Sequence, residues 1–388
     1  MSEHIKDYAD LPQLDDDELE ITTMGVGSQS GESIVMHLGD GNWIIIDSCK
    51  TCDGIVMPLY HLKMLGVELE HVNKIVCTHW HDDHIGGLST VVEQCTNAEF
   101  YYPIVGQDNN YLSLLRKGDK AQNQSSVWKE FIACYNLAKQ KSSFCGSDKL
   151  VYDDDKGIQL FTLSPSDKMI AKMLQIIADF EKSADYRRFN DSAITPNMGC
   201  SALLLVTPEC KILLGADLEA NRSNKENEDA CINQCAKRYE VGWCNVIKKS
   251  TSFKRKKISY FKLPHHSSKT GYCNAIYTEH VTDLPISVST VFVNNAGVKL
   301  PQKDMLIKYH DRSTEMYLTS RGPRKKDRGK GKSMLDSLAF PHIESVSVLR
   351  DEPGLVCSRK KKGQPWQTYL IGSAIQVDKA FINQYQDS

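Results

Sequence analysis

The residues best suited to chemistry lie in one short segment, His79-Trp80-His81-Asp82-Asp83-His84. His79 and His81 are two positions apart, so in an extended backbone their imidazoles project to the same side, as two ligands of one metal ion must. Asp83 and His84 follow closely enough to complete that site or to reach a second ion. Because imidazole and carboxylate ligands suit Zn²⁺, Mn²⁺ or Fe²⁺, the spacing predicts a metal centre.

Further ligands are expected where two later apolar segments end. Asp217 directly follows the segment 212–216, and His265 and His266 follow the segment 260–264. Taken alone, Asp217 would more often cap the N-terminus of a helix, and the histidine pair is equally compatible with a structural role. Beside the first cluster, both are predicted to bind metal.

Hydrophobic patterning predicts the elements that position these residues. Strands are expected at Leu19–Met24, Ser33–Leu38, Trp43–Asp47, Asn73–Thr78, Gly157–Leu163, Ser201–Thr207, Lys211–Ala216, Ser287–Val293 and Glu315–Thr319. Helices are expected at Asp53–Leu65, Gly87–Cys95, Ser125–Lys141 and Asp167–Lys182. The last two have apolar residues at helical spacing, which favours packing helices, with a lid over a substrate cleft as the alternative. We expect an acidic tail over residues 1–18 and one domain over 19–388, with insertions at about 100–150 and 166–190.

The order of these motifs resembles the metallo-β-lactamase fold superfamily, over roughly residues 19–345. The details are most similar to its competence branch, the nuclease-like domain of DNA-uptake channel proteins. The similarity rests on the turn Met24–Gly27, the segment Ile44–Ser48 and the segment His265–Ser268. Ser48 and Ser267 stand where that branch has glycine. The resemblance implies an α/β fold, a four-layer αββα sandwich with helical insertions.

The resemblance also implies a role for each residue of the site. His79 and His81 would hold a first metal ion, Asp83 and His84 a second, and Asp217 would bridge the two. His265 is the favoured further ligand of the second ion, with His266 beside it as a donor to substrate, although the two could exchange roles. Asp83 and His266 are the expected catalytic residues. Asp47 would support the ligands by hydrogen bonding. Asn197 stands where many members have histidine, so it would be a weak metal or substrate contact.

The formal net charge of −2 conceals an uneven distribution of charge. Basic residues are concentrated at 248–257, 321–332 and 359–362 in the second half. Any one of these runs could be a solvated loop, but three together favour a polyanionic substrate. The expected substrate contacts are Lys269, Arg324, Lys325 and Lys326.

Composition and length exclude several classes of protein. With 41% hydrophobic and 25% charged residues, the chain is neither fibrous, disordered nor a membrane channel. We expect no secretory signal peptide, because the first 20 residues are acidic and have no apolar segment, and the sequence has no apolar run of the ~20 residues that span a bilayer. The 13 cysteines are scattered along the chain, which favours reduced thiols. We therefore expect a cytoplasmic protein that does not contact membranes.

These observations favour a metal-dependent hydrolase with two divalent ions, Zn²⁺ or Mn²⁺. Its expected activity is that of a nuclease or phosphodiesterase on DNA or RNA, using a hydroxide held by the metal ions. One alternative is a hydrolase of a small molecule, such as a cyclic nucleotide, a thioester or a lactam. Another is a catalytically weak binding component of a multi-protein assembly.

Overall fold

The computed structural model describes residues 2–5, 8–27, 30–103, 126–138, 141–183, 196–220, 242–255, 257–281, 284–293, 298–322 and 352–385. Its strands are β1 Ser2–Ile5, β2 Leu19–Gly25, β3 Ser33–His37, β4 Trp43–Ile46, β5 Val72–Val76, β6 Glu99–Pro103, β7 Ser142–Cys145, β8 Lys149–Asp153, β9 Gln159–Thr162, β10 Leu203–Val206, β11 Lys211–Leu214, β12 Ile258–Lys262, β13 Ile286–Ser289, β14 Phe292–Val293, β15 Lys299–Leu300, β16 Glu315–Leu318, β17 Gly354–Lys360, β18 Gln367–Gly372 and β19 Ile375–Gln376. The helices are α1 Met57–Met64, α2 Asp82–Ile85, α3 Leu88–Gln94, α4 Ser126–Ala138, α5 Asp167–Ser183, α6 Gly242–Lys249, α7 Lys303–His310 and α8 Lys379–Gln384.

Most strands belong to two large mixed sheets. The first sheet has the order β1-β18-β17-β2-β3-β4-β5-β6-β7, and the second has the order β19-β16-β13-β12-β11-β10-β9-β8. The neighbours β4, β5, β6 and β7 are parallel, and so are β11, β12, β13 and β16. Parallel strands end at the same edge, so each sheet presents several loops side by side.

Three apolar cores separate the layers. Ile44 and Ile46 of β4 pack with Leu203 and Leu205 of β10 in a core between the sheets. The alternate residue Ile45 faces a core with the helices of the first sheet, and Leu204 faces one with those of the second. Strands buried on both faces explain the continuous apolar runs in the sequence. The arrangement is the predicted αββα sandwich.

All the strands and helices expected from the patterning are confirmed, with ends that differ by at most four residues. Helices α4 and α5 contribute Phe131, Cys134, Met169 and Met173 to the core of the first sheet, as packing helices do. Strands β7 and β8, within the region expected to be an insertion, are edge strands of the two sheets.

Two expectations are wrong in part. Residues 2–5 are not a solvated tail, because their backbone pairs in parallel with β18 and Ile5 is buried. Ten cysteines in the described part of the chain are free thiols, but Cys244 is disulfide-bonded. Across the described ranges, none of the helices combines the length and the apolar character needed to cross a bilayer.

Candidate metal centre

The predicted ligands meet where parallel strands of both sheets end. Asp47 follows β4, and the segment 79–84 follows β5 and runs into α2. From the second sheet, Asp217 follows β11, and His265 and His266 follow β12. Two sheets packed face to face therefore bring together residues up to 219 positions apart in the chain.

Asp217 lies at the centre of the cluster. Its Oδ2 is 3.6 Å from His79 Nε2, and its Oδ1 is 3.4 Å from His84 Nε2 and 3.8 Å from His266 Nε2. His81 approaches from the side of His79, with 3.1 Å between His81 Nδ1 and His79 Nε2. One ligand-type atom from each of His79, His81 and Asp217 fits within 4.8 Å of the others, the separation at which one cation can contact all three.

The adjacent histidines His265 and His266 are placed differently. His266 is 1% exposed, and its Nε2 lies 2.9 Å from Asp83 Oδ2. His265 is half-buried, and its Nε2 is 3.9 Å from Asp217 Oδ2. The geometry thus places His266 in the buried cluster beside Asp83 and His265 at its mouth, whereas the sequence favoured His265 over His266 as the ligand.

Asp47 orients two of the first-sheet imidazoles. Its Oδ2 accepts hydrogen bonds from His84 Nδ1 at 2.8 Å and from Thr78 Oγ1 at 2.6 Å, and its Oδ1 accepts from Thr78 N at 2.7 Å. Because the Thr78 hydroxyl donates to Asp47, it accepts from His79 Nδ1, 3.0 Å away. The proton of each imidazole is thereby held on Nδ1, which leaves Nε2 free to bind metal.

The second-sheet histidines have equivalent supports, which the sequence analysis missed. His266 Nδ1 donates to Thr290 Oγ1 at 2.8 Å, and Thr290 donates to Glu32 Oε2 at 2.5 Å. His265 Nδ1 is 3.0 Å from Thr270 Oγ1, which donates to Glu219 Oε1 at 3.2 Å. Thr290 directly follows β13, at the edge of the sheet where the ligands lie. That position could have identified it from the sequence.

The backbone of the site is strained. Asp47, Ala216, His265, His266 and Ser267 have φ between 42° and 59°, a left-handed conformation that non-glycine residues adopt at a cost. Five of the seven such residues in the described part of the chain lie here. Ser267, which stands in place of glycine, is one of them. Such clustering is typical of sites where side-chain direction matters more than local stability.

Four buried carboxylates, those of Glu32, Asp47, Asp83 and Asp217, surround these imidazoles. Burial by itself raises the pKa of Asp217 and lowers that of His84, but their mutual attraction reverses both effects. The pKa of Asp217 falls well below its usual value and that of His84 rises well above it. Burial and the neighbouring His79 lower the pKa of His81 to about 3.

Several buried atoms at the centre lack a hydrogen-bond partner. They are Asp83 Oδ2, His84 Nε2, Asp217 Oδ1 and His266 Nε2. Although Asp83 Oδ2 and His266 Nε2 are only 2.9 Å apart, they do not have the alignment of a hydrogen bond. Unpaired buried polar atoms are costly, and here they are imidazole nitrogens and carboxylate oxygens within 4 Å of one another. This donor set fits divalent metal ions.

Two of the three basic runs lie away from this centre. Lys254 and Lys257 precede β12, so about 16 Å of strand separates them from the ligands that follow it. In the run 359–362, Arg359 is buried against Glu20, and Lys361 pairs with Asp15. Because β17 runs antiparallel to β2, this run also lies at the edge opposite the ligands.

The third basic run begins at the ligand edge. Arg321 is exposed and follows β16, whose parallel neighbour β13 carries Thr290. The expected substrate contacts Arg324, Lys325 and Lys326 lie outside the described residues. Lys269 is exposed on the loop that carries His265 and His266.

Comparisons with known proteins agree with this topology. Residues 28–131 match the family model described as Metallo-beta-lactamase superfamily. No curated protein matches the chain. The competence branch stays a prediction, since the family match extends only to the superfamily.

Similar solved structures include three proteins of low sequence identity. The metallo-β-lactamase fold protein YhfI from Bacillus subtilis is 11% identical, with a TM-score of 0.28, 52% of this chain covered and 64% of that one. MEM-A1, a subclass B3 metallo-β-lactamase from a soil metagenome library, is 14% identical, with a TM-score of 0.34 and coverages of 67% and 81%. The hydrolase AbOPH of the beta lactamase superfamily is 17% identical, with a TM-score of 0.33 and coverages of 52% and 71%. Such values carry no argument about activity. The topology of the two sheets and the family match over residues 28–131 together identify the metallo-β-lactamase fold, with a cluster of histidines and aspartates that could hold metal ions.

Proposed function

We propose that this chain is a hydrolase with two divalent metal ions that cleaves phosphodiester bonds of nucleic acid. The observation that carries the proposal is the convergence of unpaired buried imidazole and carboxylate atoms from both sheets at the edge where Arg321 begins a basic run.

The two sites would share Asp217. His79 Nε2 and His81 Nδ1 would hold the first ion, with Asn197 as a weaker contact. Asp83, His84 Nε2 and His266 Nε2 would hold the second. When bound, a pair of divalent ions activates water and offsets the negative charge that develops on a phosphodiester. Zn²⁺ and Mn²⁺ both suit this mixture of nitrogen and oxygen ligands.

The residues of the chain itself would orient the substrate and handle protons. Burial lowers the pKa of His265, but the hydrogen bond to Glu219 and the charge of Asp217 raise it above its usual value. With Nδ1 held by Thr270 and Nε2 at the mouth of the centre, the protonated imidazole would donate a hydrogen bond from Nε2 to a scissile phosphate or to the leaving oxygen. Lys269 and the segment beginning at Arg321 would hold the flanking phosphates.

Nucleic acid is preferred to a small substrate for two reasons. The helices α4 and α5 are packed into the core, which removes support for a lid closing over a small pocket. The basic run, whose first residue Arg321 lies at the ligand edge, would suit an extended polyanion. The same choice accords with the resemblance to the competence branch, which we retain as part of this proposal.

A combined metal and nuclease assay tests the proposal. The purified full chain is analysed for bound metal, then incubated with single- and double-stranded DNA and RNA with Mn²⁺, Zn²⁺ or Mg²⁺, with and without chelator. His81→Ala and Asp83→Ala are expected to lower cleavage by about 100-fold or more. His71→Ala, an exposed histidine before β5 at the opposite edge, is the control and should cleave normally. Wild-type protein that binds metal but cleaves no nucleic acid would refute the proposed substrate.

Matched charge removals test the role of the basic run. Replacing Arg321, Arg324, Lys325 and Lys326 by Gln should reduce the slope of log binding constant against log salt by about three to four for double-stranded DNA. The control replaces Lys248, Lys249, Lys254 and Lys257 by Gln. If both sets of substitutions reduced this slope equally, the basic residues would contribute to binding irrespective of their distance from the metal centre.

A further inference from the structure

Glu32 is a buried carboxylate that belongs to one sheet and supports a histidine of the other. It lies on the loop between β2 and β3 of the first sheet and is 1% exposed. Its Oε2 accepts from Thr290 Oγ1 at 2.5 Å, and Thr290 follows β13 of the second sheet. Thr290 is fully buried and accepts in turn from His266 Nδ1 at 2.8 Å.

This chain of contacts fixes the tautomer of His266. A carboxylate only accepts hydrogen bonds, so the Thr290 hydroxyl must point its proton at Glu32 and accept from the imidazole. His266 therefore carries its proton on Nδ1 and directs the unprotonated Nε2 at Asp83. Phe292 stacks on the ring, with centroids 5.1 Å apart and planes at 29°, which limits its rotation.

Two further contacts fix Glu32 itself. The Lys262 ammonium at the end of β12 is fully buried and forms an ion pair with Glu32 Oε1. Glu32 N donates to the Asp83 carbonyl at 2.7 Å. Glu32 thus connects the loop of one ligand, Asp83, with the side chain of another, His266.

We propose that Glu32, acting through Thr290, is a positioning residue that sets His266 as a ligand of the second metal ion, and that Lys262 holds Glu32 in place. The inference rests on the metal centre of the proposed function, but it does not depend on which substrate is cleaved. The ion pair with the buried Lys262 ammonium keeps Glu32 an acceptor of the Thr290 proton.

The first test removes only the intervening hydroxyl. Thr290→Val keeps the shape of the side chain, and we expect it to weaken Co²⁺ binding at the second site by about 10–100-fold and to change the visible spectrum of the bound Co²⁺. Thr290→Ser restores the hydroxyl and should restore both properties. Thr368→Val, a fully buried threonine on β18, is the control for a Thr-to-Val exchange and should leave Co²⁺ binding unchanged.

The second test removes the ion pair. Because Glu32→Gln alone would leave Lys262 as a buried unpaired charge, the double variant Glu32→Gln/Lys262→Met removes both charges together. We expect a similar loss of second-site affinity, with the first site retained.

The outcomes separate this inference from the proposed function. Normal Co²⁺ affinity and spectrum in Thr290→Val would overturn the inference and leave the proposed function intact. Wild-type protein that binds no metal would overturn both. Wild-type protein that binds two ions and loses one of them in Thr290→Val, but cleaves no nucleic acid, would support the inference and refute the proposed substrate.

Discussion

The ligands from the two sheets are supported in different ways. In the first sheet, the single carboxylate of Asp47 orients His84 directly and His79 through Thr78, and all these residues lie on adjacent loops. In the second sheet, His266 and His265 are consecutive but each has its own threonine and its own carboxylate. The backbone beneath them is left-handed at three successive residues.

Because the supports differ, a change in one sheet should have different consequences from a change in the other. The first-sheet residues form a unit with one shared support, so a change there would be felt at both of the proposed metal sites. In the second sheet, the left-handed turn points the imidazoles of His265 and His266 in different directions. His266 lies in the buried centre and His265 at its mouth. Glu32 belongs to the first sheet, whereas Thr290 and His266 belong to the second. The position of His266 therefore depends on how the two sheets are aligned.

Removal of Asp217 should have the largest effect, because it is placed between both groups of ligands. For Asp217→Ala we expect metal affinity to fall by more than about 100-fold at both sites, with a corresponding loss of activity. Equilibrium dialysis with elemental analysis gives the stoichiometry. The exposed Asp311→Ala is the control. Retention of one tightly bound ion would contradict the shared position of Asp217.

Substitution of the shared support should affect both sites, whereas loss of one branch should affect one. Asp47→Asn is expected to weaken both sites by about 10–100-fold. Thr78→Val removes the hydroxyl that links His79 to Asp47 but keeps the direct contact between Asp47 and His84, so we expect loss at the first site with the second nearly unchanged. Two-step Co²⁺ titrations measure the sites separately. Equal losses at both sites in Thr78→Val would break the comparison.

A packing change can disturb the second-sheet ligands alone. A Cβ at Gly215 would lie 2.8 Å from Pro264 Cα, forcing apart the loops that carry Asp217 and His265. We expect Gly215→Ala to lower the free energy of unfolding by about 1–3 kcal/mol, measured by denaturant titration. Gly146→Ala, where an added Cβ meets no atom within 4 Å, should be nearly neutral. Equal stability of the two variants would exclude a close approach at Gly215.

The two sites should also differ in their response to pH. The raised pKa of His84 means that a metal ion must displace its proton, whereas His81, with its pKa lowered to about 3, is already unprotonated at neutral pH. Second-site binding should release about one proton, and its affinity should rise with pH, by up to about tenfold per unit below the pKa of His84. Calorimetry at pH 7 in two buffers of different ionisation enthalpy measures the release.

The same shift gives a prediction for stability without metal. A pKa raised by folding contributes stability that is present below about pH 6.5, the unfolded value, and is lost as pH rises through the folded value. The metal-free protein should therefore lose this contribution on going to alkaline pH.

For the metal-binding prediction, calorimetry that detected no buffer dependence would contradict a protonated His84.

Local sequence was sufficient for much of the fold and for the candidate site. The segment 79–84 contains its ligands within six residues, so its spacing alone predicts a metal centre. The apolar runs of strands such as β4 and β11 predict elements buried on both faces, and the residues that follow those strands, Asp47 and Asp217, lie in the cluster.

What local sequence did not reveal depends on tertiary pairing. Glu32 and Thr290 are 258 positions apart, and nothing in either segment points to the other. The directions of His265 and His266 depend on a left-handed turn that glycine would normally mark. Lys262 and Arg359 are buried in ion pairs, although charged residues usually lie in solvent, and the basic-run argument counted Arg359 as exposed charge.

The long separation of the ligands has a consequence for synthesis of the chain. At about 5–20 residues per second, roughly ten seconds pass between the emergence of His84 and that of Asp217 from the ribosome. Throughout that interval, the first group of imidazoles is complete but lacks its bridging carboxylate and the second sheet. Any ion captured then would have fewer ligands than the complete proposed centre, which also needs Asp217 and His266.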